Sequence, residues 1–127
     1  MYDLKYFIQL SEQQQHQQMQ EWLSSIATAE EEQRQQGIKE LVLATSKLDD
    51  ADKAELIKIR TIVLARMPIE QTKDIVRSRF KAMQDLRDID DADRAMVIMM
   101  VRQMPRDVQQ VVARVANELR EEFSTMG

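Results

Sequence analysis

No cysteine occurs in the 127 residues. Disulfides, thiolate catalysis and cysteine-ligated zinc are therefore excluded, and a cytoplasmic location is the expectation. There is one histidine, His16. It sits among glutamines with only Glu12 one turn away, which is too few donors for a zinc site. Nucleophile–histidine catalysis finds no partner set, and the Glu-x-x-His pairs of di-iron bundles are absent. Glycine and proline number two each, and aromatics make up 5%. That scarcity disfavours sheet, which draws on aromatics, β-branched runs and turn glycines. No apolar run approaches the ~18 residues of a membrane span. The start, Met1 to Lys5, lacks the basic and apolar regions of a signal peptide. No cofactor, metal or catalytic residue is expected, so the chain reads as a non-enzyme.

What is abundant is Gln, Glu, Ala, Leu, Arg and Met, the straight-chain residues that lose little rotamer freedom in a helix. At 43% hydrophobic and 31% charged, the composition suits a single soluble all-α domain over residues 1–127. The net charge of −4 is uneven. Residues 1–50 hold four Lys/Arg against nine Asp/Glu, whereas residues 51–127 are nearly balanced.

One stretch occurs twice. Residues 48–54 read Leu-Asp-Asp-Ala-Asp-Lys-Ala and residues 89–95 read Ile-Asp-Asp-Ala-Asp-Arg-Ala. Each leads into an apolar run and then a Met-Pro pair, Met67-Pro68 and Met104-Pro105, followed by another apolar-periodic segment. The acids suit a helix start, with Asp49 or Asp50 and then Asp90 as N-caps. Proline ends each helix and opens the next. An EF-hand loop needs a glycine that neither copy has. The pattern predicts a duplicated helix–proline break–helix unit, 48–88 and 89–123, behind acidic Gln-rich helices over 1–47. The architecture expected is a compact five- to six-helix bundle or a short superhelical stack. The spacing from the motif to Met-Pro is four residues shorter in the second copy, about one helical turn. The break resembles that between short helices in the N-terminal domain of magnesium-transporter regulators and in flagellar-switch middle domains. The resemblance covers the break motif alone, and no function is carried over from it.

Within 1–47, Ser11 to Gln14 forms a capping-box pattern, and Thr28 to Glu31 forms another. The polar stretch Glu30–Gln36 is expected to project beyond the core, and Gly37 to mark a kink or a close helix crossing. Ala95–Val101 is uninterrupted by polar residues and is expected to be buried nearly all round. Residues 124–127 are expected to fray.

Three functional readings follow. The leading one is a non-catalytic interaction protein (an adaptor, assembly factor or regulator) with a protein partner or a homodimeric state. Its candidate surface is the Gln-rich face with Gln14, Gln18, Trp22 and Arg34, because tryptophan and arginine are enriched at binding hot spots. The second is a nucleic-acid-associated regulator using the stripe Lys73, Arg77, Lys81, with Arg114 at the corresponding place in the second unit. The overall charge opposes it. The third is a small hydrophobic-ligand binder with a methionine-lined pocket, since nine methionines are present and Met96, Met99, Met100 and Met104 cluster.

Overall fold

The computed structural model describes residues 2–126, the side chains of 125 and 126 excepted. Among the described residues it is all-helical, with seven α-helices and a single 3₁₀ turn. The helices are α1 (Leu4–Phe7), α2 (Glu12–Thr28), α3 (Glu31–Ser46), α4 (Asp50–Ala65), α5 (Ile69–Ala82), α6 (Arg87–Met100) and α7 (Arg106–Met126). The 3₁₀ turn Val101–Gln103 joins the last two.

The first two helices are separate. The Ser11 hydroxyl accepts from the Gln14 backbone N–H at 3.2 Å, and the Gln14 amide oxygen accepts from the Ser11 N–H at 3.1 Å, closing the capping box. The second pattern does not cap. Glu30 is the N-cap of α3 without a side-chain bond, and the Thr28 hydroxyl donates back to the carbonyl of Ser24 at the end of α2.

The start of α3 does not project. The Arg34 Nε donates to Ser78 Oγ on α5 at 2.8 Å, the Ser78 hydroxyl donates to Glu31 at 2.9 Å, and Arg34 and Glu31 are themselves paired. A polar stretch is thus held against a neighbouring helix by bonds between its own side chains and Ser78. Gly37 marks a close crossing: a Cβ there would meet Ile26 Cγ1 at 3.1 Å and the Tyr2 hydroxyl at 3.3 Å.

The main core joins α1 to α5. Phe7, Met19, Leu23, Leu41, Leu56 and Ile59 are buried in it, as is Met83 just past the end of α5. A smaller core, Ile62, Ala65, Met104 and Val108, pins the α6–α7 hairpin to α4. α4 is central to both cores, with Leu56, Ile57, Ile59, Ile62 and Val63 all buried.

The two Asp-Asp-Ala-Asp stretches do different work. In the first, Asp49 caps α4 by accepting from the Asp52 N–H at 2.9 Å. In the second, α6 has already begun at Arg87, with Leu86 as an N-cap lacking a side-chain bond. Asp90 therefore lies inside the helix and is not the cap. From N-cap to the Met of the Met-Pro pair is 18 positions in each case, 49 to 67 and 86 to 104. At the other end, α7 runs to Met126, so residues 124–126 continue the helix instead of fraying, and Gly127 lies outside the described residues.

Candidate functional site

The expectation for Ala95–Val101 is overturned. In α6 only Asp93 is buried. Ile98 is 71% exposed and Met99 75% exposed. The reason is position. α6 packs on α4 and α3 through one side, and nothing among the described residues covers its other faces.

Beside it, α6 and α7 diverge from their hairpin and leave a groove of about 600 Å³ over α4 and α5. The α6 side presents Val97 and Ile98, spaced with Asp90 and Arg94 along the helix. The α7 side presents Val111, Val112, Val115, Ala116, Leu119 and Phe123, a continuous helical stripe. Leu64 of α4 and Val76 and Phe80 of α5 complete the walls. Phe80 and Phe123 stack with ring centroids 4.3 Å apart. No methionine among the described residues lines the groove. The methionine-lined pocket is therefore replaced by one of branched aliphatics, with Met104 in the small core and Met99 facing outward.

An ion network lies in one wall. Arg60 of α4, 5% exposed, donates to both carboxylate oxygens of Asp93 at 3.0 and 2.5 Å. Arg79 of α5 donates to Asp93 at 2.9 Å and to Asp90 at 2.8 Å. Arg94 approaches Asp90 at 3.8 Å and is 63% exposed. Burial alone would raise the Asp93 carboxyl, but the Arg60 and Arg79 guanidiniums more than offset it and hold the group at about 2. Burial opposes the charge on Arg79 as well, and Asp93 and Asp90 outweigh it.

A pH dependence follows. A carboxyl at about 2 in the fold and about 3.9 in the unfolded chain stabilises above the higher value. That contribution, about 2–3 kcal/mol, is lost as pH falls from about 4 toward 2. Glu31 is also lowered to about 2, burial being outweighed by its bonds from Arg34, Gln35 and Ser78, so it adds in the same direction. Urea unfolding at pH 5 and pH 2.5 checks this: stability should fall with acid, and the Asp93→Asn variant should show a smaller fall.

The residues singled out from sequence are dispersed. Gln14 is engaged in the capping box, and the Gln18 amide donates to Glu21 at 3.5 Å. Trp22 is half-buried between Tyr2, edge-on at 5.1 Å, and Phe7, stacked at 5.4 Å. Arg34 bridges the α2–α3 turn to α5, donating also to the carbonyls of Ala27 and Ala29. Gln14, Gln18 and Trp22 thus follow one another at one-turn spacing along α2, while Arg34 lies on α3 and is engaged with the α2–α3 turn and α5.

The basic stripe is neutralised within the fold. Lys73 meets Glu118 at 2.7 Å, Arg77 meets Glu122 at 2.7 Å, Lys81 approaches Glu31 at 3.8 Å, and Arg114 meets Glu118 at 3.2 Å. Among the described residues, no group of three or more His, Cys, Asp or Glu is placed to hold a metal ion. Among the described residues no helix is long and apolar enough to cross a membrane.

Sequence reasoning missed Arg60 and Asp93. A signal was present: Arg60 is the one charged residue between Ile59 and Ala65, in a stretch otherwise apolar except for Thr61. An arginine set so deep in a buried helix calls for an acidic partner. Comparison of the chain with protein families, curated proteins and solved structures yields no match.

Proposed function

We propose that this chain is a non-catalytic helical binding protein, an adaptor or regulator, whose working site is the groove between α6 and α7. The observation that carries this reading is the groove itself: an apolar cleft of about 600 Å³, within the roughly 300–1,000 Å³ typical of binding sites. Leaving such a surface uncovered is costly to solubility, so its presence points to use. The reading moves the site away from the Gln-rich face, where Trp22 and Arg34 are occupied within the fold. It keeps the class of function expected from sequence and changes its location.

The test is a titration with Nile red, an uncharged dye whose emission rises in apolar surroundings. Saturable binding at one site per chain is expected. Ala116 is exposed on α7 and lines the groove, so Ala116→Trp should fill the cleft and weaken the dye at least about tenfold. Helical circular dichroism and Tm should stay near those of the wild type. A dye that ignores the wild-type protein, or binds Ala116→Trp equally well, contradicts the proposal.

A further inference from the structure

The charge around the groove narrows what it takes, an inference that rests on the groove being the working site. In the wall network three guanidiniums, Arg60, Arg79 and Arg94, share two carboxylates, Asp90 and Asp93. Arg120 of α7 lines the same cleft and is exposed, and its guanidinium makes no hydrogen bond or ion pair with another described residue. Two positive charges are therefore left over beside an apolar channel. Arg94, held only loosely at 3.8 Å, and Arg120 are the two that solvent reaches.

We propose that the groove binds a single-chain anionic amphiphile, a long-chain carboxylate, with its chain along the α6–α7 cleft and its headgroup between Arg94 and Arg120. A neutral chain would gain the burial alone. A cation would meet unneutralised guanidiniums. A carboxylate gains charge-assisted hydrogen bonds in addition. The ends of the cleft favour a thin occupant. Met104 and Val108 pack on Ile62 and Ala65 where the hairpin closes, and the stacked Phe80 and Phe123 stand toward the other end of α7. A continuous partner helix needs an open trough, whereas a flexible acyl chain does not. Asp90 is a weak competitor for Arg94: its Oδ1 accepts from Arg79 at 2.8 Å, while its Oδ2 stands 3.8 Å from Arg94, beyond hydrogen-bond distance.

Displacement of Nile red by three twelve-carbon probes, each below its micellar concentration, tests the proposal: laurate, 1-dodecanol and dodecyltrimethylammonium. Laurate should displace the dye at least about tenfold more tightly than dodecanol, the size expected of a hydrogen bond to a charged group. The ammonium should be weakest. In the double variant Arg94→Gln/Arg120→Gln laurate should bind no more tightly than dodecanol, each referred to the dye affinity of the same variant. Equal displacement by laurate and dodecanol overturns the amphiphile while the groove stands. Displacement by an acidic amphipathic peptide but not by laurate overturns it in favour of a protein partner. Failure of the wild-type protein to bind the dye removes the groove reading and this one together.

Discussion

Replacing Asp93 by alanine is expected to lower the unfolding free energy by about 3–5 kcal/mol, the cost of leaving a buried charge without its partner. Asp93 is 6% exposed and accepts from two arginines on two different helices. Without it, Arg60 keeps its charge in a site where water cannot replace the lost acceptor. Arg79 retains Asp90 and suffers less. Since domains of this size hold about 5–15 kcal/mol in all, the variant should be unfolded to a measurable extent on mild heating. A companion variant separates charge burial from packing. Changing Arg60 and Arg79 to Met together with Asp93 to Leu and Asp90 to Asn removes the buried charges of the network, Asp90 included because Arg79 is its 2.8 Å partner, and should be neutral or stabilising. Equilibrium urea unfolding reads both. A loss below about 1 kcal/mol for Asp93→Ala would show that the pair is not formed in solution.

Phe7→Ala should cost a comparable amount, about 3–5 kcal/mol. Phe7 is fully buried, stacks on Trp22, and with Leu4 is the anchor of α1. A helix of four residues cannot hold itself in water, so α1 exists by virtue of these contacts. One polar bond adds to them: the buried Gln15 amide donates to the Phe7 carbonyl at 3.1 Å. Removing the ring should release residues 4–10, lose their amide-exchange protection and shift the emission of Trp22 toward that of a solvated indole. Unchanged Trp22 emission with a stability loss under about 1 kcal/mol would contradict the packing described. The groove should be untouched, because no residue of α1 lines it.

The helices themselves were legible from residue chemistry. Ser11 with Gln14, Asp49 before the acidic turn, and the two Met-Pro breaks each specify a boundary by a local mechanism, and each boundary is found. The boundaries missed are those where that mechanism is absent. Leu86 and Glu30 begin helices with no side-chain cap, so a stronger local signal nearby, Asp90 or Thr28, drew the assignment. Burial was harder still. Periodicity identifies a face that prefers to leave water, but it cannot say whether anything in the same chain is there to cover it. For Leu56 to Val63 something is. For Ile98 and Met99 nothing is. The groove could not be read from the sequence because it is a property of how α6 and α7 diverge, and the residues that line it are spread from α2 to α7.

The most direct test of the account is methyl-resolved NMR of the isotope-labelled protein during a Nile red titration. The groove reading predicts shifts confined to Val97, Ile98, Val111, Val112 and their neighbours, with Leu4, Ile8 and Leu10 of the N-terminal region unmoved. Shifts centred on the N-terminal residues, or none anywhere at saturating dye, would contradict it.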